Sequence, residues 1–124
     1  MRASMVAATV ACSLVMGWPS AAGVLRPAFF DAQKLTKACS NQESPLDVGV
    51  CFRYVLGVAD VGEGVQVANG KRLWCWPDDI SVTVAMERSV DAVKAYMHKY
   101  PEDTKDWSGS AIVWEALKEH FPCT

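Results

Sequence analysis

The chain has 124 residues, of which 51% are hydrophobic and 21% charged, and its 14 Asp and Glu against 12 Lys and Arg give a net charge of −2. This balance gives no electrostatic support to nucleic-acid binding, which draws on a surplus of basic side chains. The sequence also has no polybasic tract of the kind that holds proteins at anionic membranes. The length fits one domain, and no internal repeat or linker divides it.

The N-terminal segment has the pattern of a secretory signal peptide. Arg2 supplies a positive n-region, Met5 to Trp18 form an apolar h-region, and the small residues of Ser20-Ala21-Ala22 form a cleavage site. A membrane anchor needs about 20 apolar residues. This run is shorter and ends at Pro19. We therefore expect a signal peptide over residues 1–22, cleaved after Ala22, and a mature domain over residues 23–124 without a membrane segment.

The mature domain is predicted to be all-α, with four helices. Apolar residues recur at helical spacing in four segments, which begin or end at proline, glycine or N-cap residues. The predicted helices run from about Ala28 to Cys39, from Leu46 to Val61, from Val82 to Tyr100 and from Asp106 to His120. The stretch Gly62-Glu63-Gly64 is expected to stop the second helix.

Two glycines interrupt the second predicted helix. Gly49 and Gly57 lie among its apolar residues, where each glycine costs about 1 kcal/mol relative to alanine. A glycine in such a place often marks the close approach of a neighbouring backbone. We therefore expect close packing against this helix.

The tryptophans divide into two groups. Trp107 and Trp114 fall on the apolar stripe of the fourth helix and are predicted to be core residues. Trp74 and Trp76 flank a cysteine within Val65 to Asp79, which lacks a helical period and is interpreted as a loop, although a short hairpin is also compatible with it. Alternation along this stretch would point one of the two rings inward and the other toward a partner. The sequence leaves open whether each belongs to the core or to an interface.

Four cysteines follow the signal peptide, namely Cys39, Cys51, Cys75 and Cys123. An exported chain with an even number of cysteines is expected to form disulfides. Four cysteines allow three pairings. We favour Cys39–Cys51, which would join the first two helices across a short turn, together with Cys75–Cys123, which would pin the C-terminus. A zinc site is disfavoured because no pair of candidate ligands has the spacing of a structural zinc site.

Catalysis has little support in the sequence. No nucleophile lies in a recognisable elbow, no glycine-rich phosphate loop is present, and the cysteines are expected to be oxidised. Asp78 and Asp79 are adjacent acids before a predicted helix, where such residues more often serve capping and dipole roles than acid–base chemistry. We expect a protein that is not an enzyme and needs no cofactor.

Several motifs resemble the Rap/Tai immunity family. The stretch from Cys51 to Asp60 is similar to the Cys-x-x-Tyr-x-x-Gly-Val-x-Asp core of that family, and Trp74-Cys75-Trp76-Pro77 to its Phe-Cys-Leu-Pro step. Tyr96 to Glu102 resembles its Tyr-Leu-x-x-His-Pro-Glu step. Ala116-Leu117 and Phe121-Pro122-Cys123 match its closing motifs. Each motif alone is weak evidence for the family, but together the motifs follow the family's order and spacing over residues 34–123.

The resemblance implies a small, helical, disulfide-bonded protein of the periplasm of Gram-negative bacteria. Relatives bind and block peptidoglycan amidases that type VI secretion delivers, and some are dimeric, so the resemblance implies an amidase effector as partner and allows a homodimer. A rival interpretation is a periplasmic stress or chaperone-like helical protein without a toxin partner. The two differ because an immunity protein binds one enzyme tightly, whereas a chaperone binds many unfolded clients weakly.

The segment from about Gly70 to Asp79 is the predicted contact with the partner. It is the least periodic stretch, it contains Trp74 and Trp76, and a disulfide is expected to fix its base. A tryptophan exposed on a loop is a typical binding anchor. We expect Trp76 above all to serve as the apolar anchor, with Asp78 and Asp79 as the polar rim. The family usually has Leu at the position of Trp76.

Overall fold

The computed structural model describes residues 29–124, so the predicted signal peptide and its cleavage site lie outside the described residues. Within that range the chain forms five α-helices and no β-strand, which confirms the all-α prediction. The helices are α1 (Ala32–Ser40), α2 (Pro45–Asn69), α3 (Val82–Lys99), α4 (Pro101–Thr104) and α5 (Gly109–His120). No helix in this part of the chain combines the length and apolar character needed to cross a membrane.

The four longer helices begin where a short polar side chain caps the first turn. In each, the capping oxygen accepts a hydrogen bond from the backbone N–H three residues on; the caps are Asp31, Ser44, Ser81 and Ser108. Such a cap contributes about 1 kcal/mol. These caps explain why the first helix begins at Ala32 rather than the predicted Ala28, and the last at Gly109 rather than Asp106.

The second helix is longer than predicted. The expected stop at Gly62-Glu63-Gly64 is wrong, because α2 continues to Asn69. It ends at Gly70, whose φ of 62° is a left-handed conformation that glycine adopts without steric cost. The irregular stretch therefore begins at Gly70 rather than Val65, and no hairpin forms in it.

The core lies where α1, α2, α3 and α5 meet. Its most deeply buried aliphatic side chains come from all four helices: Leu35, Val55, Val90, Val93, Ile112, Val113 and Leu117. Trp107 and Trp114, predicted as core residues, are half-buried and pack against the edge of this cluster. The single-turn α4, which is too short to show an apolar period in the sequence and was not among the four predicted helices, connects α3 to the segment before α5.

Both favoured disulfides are present. Cys39–Cys51 joins the end of α1 to α2 with a Cα–Cα distance of 5.0 Å, and Cys75–Cys123 ties the segment before α3 to the C-terminus with 4.9 Å. The cysteines are 12 and 48 residues apart in sequence. By the chain-entropy relation, loops of these lengths correspond to stabilisation of roughly 3 and 4 kcal/mol.

Neighbouring groups pack closely against two glycines, but these are not Gly49 and Gly57, the two positions that the sequence predicts. A Cβ atom added to Gly49 or Gly57 would meet nothing within 4 Å. A Cβ at Gly62 would instead overlap the indole ring of Trp74, and one at Gly109 would crowd a tyrosine ring and a backbone oxygen. Gly62, which was interpreted as part of a helix stop, is therefore the α2 glycine whose missing side chain makes room for Trp74.

Candidate functional site

The irregular segment between α2 and α3, residues 70–81, is called the 70s loop below. The C-terminal half of α2 holds its backbone, because the Gln66 side-chain oxygen accepts hydrogen bonds from the N–H groups of Leu73 and Trp74, the latter at 3.2 Å. On its other side, Cys75 is disulfide-bonded and donates its N–H at 2.9 Å to a carbonyl that follows α5. The loop is thus fixed to two helices before any partner binds.

Glu63 orients both tryptophans of the loop. One of its carboxylate oxygens accepts the indole N–H of Trp74 at 3.0 Å and also the indole N–H of Trp76. Hydrogen bonds to a carboxylate are stronger than those between neutral groups. In the sequence Glu63 belongs to a predicted helix stop, and no local pattern indicates this role.

The two tryptophan rings have different surroundings. Trp74 is only 1% exposed, and its ring lies edge-on to Trp114 at a centroid distance of 6.2 Å. The expectation that Trp74 contacts a partner is therefore corrected, because its ring belongs to the core. Trp76 is half-buried and packs at 4.6 Å on the ring of Phe121, which leaves part of the indole at the surface.

Trp76 lines a groove that we call the Trp76 groove. It has a volume of about 770 Å³ and lies between the 70s loop, the middle of α2 and the first half of α3. Its apolar lining comes from all three elements and includes Leu56, Ala59, Trp76, Ile80, Val82 and Met86. An apolar groove of this size can bury a group as large as a small-molecule ligand.

The charged groups along the Trp76 groove are all acidic. Asp60, Glu63 and Asp78 line it, and no lysine or arginine does. Asp79, the second predicted rim residue, is exposed on the same loop but does not line the groove. Of the four predicted contact residues, the structure therefore brings Trp76 and Asp78 to the groove. A ligand with an apolar body and a cationic flank would complement it.

The clearest shifts in pKa occur outside this groove. The Glu119 carboxylate accepts hydrogen bonds from Lys99 at 2.8 Å and from the Tyr100 hydroxyl at 3.1 Å. The bond with Lys99 lowers the pKa of Glu119 and raises that of Lys99. Burial raises the pKa of the Tyr54 and Tyr96 phenols. The exposed Lys99–Glu119 pair links α3 to α5, so we assign it a role in holding these two helices together and not in binding a partner.

The described domain is helical, is fixed by two disulfides and presents an apolar groove edged by carboxylates, which together form a rigid candidate binding surface. Among residues 29–124, no three His, Cys, Asp or Glu side chains come together as metal ligands. The family model for Rap1a immunity proteins matches residues 31–123, so the chain belongs to the Rap1a immunity protein family. This membership confirms the resemblance to the Rap/Tai immunity family. No curated protein and no solved structure matches the chain.

Proposed function

We propose that this protein is a periplasmic immunity protein that binds and inhibits a peptidoglycan amidase effector of type VI secretion. Membership of the Rap1a immunity family is the observation that carries the proposal. The two disulfides support the periplasmic location, because such bonds persist in oxidising compartments. Inhibition occurs by occlusion of the amidase and involves no chemical step on this chain.

The Trp76 groove is the proposed contact surface, with Trp76 as anchor and Asp78 and Asp79 at or beside its rim. The disulfide, Gln66 and Glu63 hold the loop in one arrangement. A preorganised loop loses less conformational entropy on binding, which favours tight inhibition. An anchoring tryptophan is typically worth at least ~2 kcal/mol, or about thirtyfold in affinity.

The test requires a peptidoglycan amidase found in the reading frame next to this gene, with affinity measured by calorimetry and inhibition measured on purified peptidoglycan. Trp76→Ala is expected to weaken binding at least about thirtyfold. Because Trp76 also packs on Phe121, Val82→Glu provides a second variant. Val82 is 77% exposed and lines the groove in the first turn of α3, where a glutamate suits the helix dipole.

Leu46→Glu is the matched control. Leu46 is 75% exposed in the first turn of α2, where a glutamate also suits the helix dipole, and the groove lining does not include it. If Val82→Glu and Leu46→Glu both bind like the unmodified protein, the groove is not the interface. If the unmodified protein does not bind the amidase but suppresses the aggregation of several unfolded proteins, the chaperone-like interpretation replaces the immunity proposal.

A further inference from the structure

A second groove lies on a different part of the surface. It has a volume of about 970 Å³ and runs between α1, the C-terminal half of α3 and α4. No residue lines both this groove and the Trp76 groove. Its floor is formed by buried residues, among them Ala32, Cys39, Met97 and Thr104. We call it the α1–α3 groove.

Two rows of polar side chains flank this floor. Gln33 and Lys37 lie four residues apart on α1, and Lys94 and His98 lie four residues apart on α3. Residues with that spacing share a helix face and are separated by about 6 Å along the axis. Lys105, which follows α4, also lines the groove. The positive groups are therefore distributed along the groove on separate elements instead of converging on one point.

The charge of the α1–α3 groove is opposite to that of the chain as a whole. Three lysines and a histidine line it and no carboxylate does, although Asp and Glu outnumber Lys and Arg by 14 to 12 in the sequence. Within residues 29–124, only one of the three lysines forms an ion pair, Lys105 with Glu102 at 3.2 Å. Lys37 and Lys94 remain available for the carboxylates of a ligand.

We propose that the α1–α3 groove binds an extended acidic segment of a partner polypeptide. An apolar side chain of that segment packs on the floor formed by Met97 and its neighbours, and flanking carboxylates contact Lys37 and Lys94. The distributed cations favour a chain with several carboxylates over a single small anion. The apolar floor requires a ligand with an apolar body as well as negative charge. This proposal is independent of the amidase and of the Trp76 groove.

The probe is an acetylated and amidated pentapeptide, Asp-Glu-Leu-Asp-Glu, titrated to millimolar concentration into the isotope-labelled protein and followed by NMR. Amide shifts are expected along the α1–α3 groove, and binding should weaken as salt is added. The double variant Lys37→Glu with Lys94→Glu is expected to lower affinity several-fold and by up to about 25-fold, because it removes two exposed ion pairs that contribute up to about fivefold each.

The matched control is Lys71→Glu with Arg72→Glu, which changes the net charge equally at two exposed residues that line neither groove. If both double variants weakened peptide binding equally, the change in net charge would explain the effect and the proposal would be overturned. The absence of shifts in the groove would also overturn it, as would equal binding of the neutral peptide Asn-Gln-Leu-Asn-Gln. If inorganic phosphate produced the same amide shifts, the groove would be a small-anion site and the proposal would be wrong. If the protein bound phosphatidylglycerol vesicles but not the peptide, the groove would be a membrane contact instead.

Discussion

Gly62→Ala is expected to destabilise the protein even though alanine is the better helix former. Within a helix the change from glycine to alanine gains about 0.5–1 kcal/mol. At Gly62, however, the new methyl group would lie 3.0 Å from Cζ2 of Trp74 and closer still to Cη2. The ring of Trp74 is 1% exposed and hydrogen-bonded to Glu63, so it has little room to move. Overpacking of this kind costs about 1–3 kcal/mol.

Subtracting the helix gain from the overpacking cost leaves an expected loss in the free energy of unfolding of up to about 2.5 kcal/mol, which for a domain of this size lowers the midpoint of thermal unfolding by up to roughly 10–20 °C. Gly64→Ala is the matched control, because Gly64 lies in the same helix with nothing within 4 Å of its would-be Cβ. It should raise stability by about 0.5–1 kcal/mol. Urea denaturation followed by tryptophan fluorescence measures both. If Gly62→Ala raises stability as Gly64→Ala does, Trp74 does not pack on Gly62 and the account of the 70s loop is wrong.

Three further variants test the contacts around the fold. Glu63→Gln weakens the hydrogen bonds to both indoles and should cost about 1–2 kcal/mol in urea denaturation; an unchanged midpoint would contradict the role given to this carboxylate. Cys75→Ala combined with Cys123→Ala should cost roughly 4 kcal/mol by the loop-entropy relation, and a loss below 1 kcal/mol in the same assay would show that the bond does little. The bond from Lys99 lowers the pKa of Glu119 below 4.5, so their pair stabilises the fold above that pH and loses its effect as the pH falls through the lowered pKa. Glu119→Gln should therefore flatten the acid side of the stability profile, and an unaltered acid side would exclude the pair as a source of that dependence.

The helices could be predicted from local patterns because their causes are local. Apolar spacing and capping residues lie within each segment, and the Cys39–Cys51 pairing follows from two helix ends that a short turn brings together. The end of α2 could not be predicted in the same way. Gly62 resembles a stop signal by its own chemistry, but in the fold its missing side chain makes room for the ring of Trp74, twelve residues later, which no local pattern indicates.

The candidate site was predicted in part for the same reason. Trp76 and Asp78 could be proposed as contact residues because an aperiodic segment with tryptophan and acidic residues is visible in the sequence, and both line the groove. Glu63 and Gln66 were missed because their partners lie seven to thirteen residues away in a segment without a period. The ring of Trp74 points inward because Gly62 of α2 leaves space for it. The alternation of side-chain directions along the loop does not by itself determine which of the two tryptophans points inward.

The Trp76 groove includes one residue whose identity the packing of the chain does not explain. Gly57 lines the groove, yet a Cβ there would meet nothing within 4 Å, so no internal contact requires a glycine. A methyl group at Gly57 would therefore stabilise α2 and at the same time narrow the groove. Gly64→Ala should give the same stabilisation without altering the groove. If the groove is the interface, Gly57→Ala weakens amidase binding despite a higher unfolding midpoint, whereas Gly64→Ala leaves affinity unchanged. Equal affinity of the two variants would show that the partner does not approach Gly57.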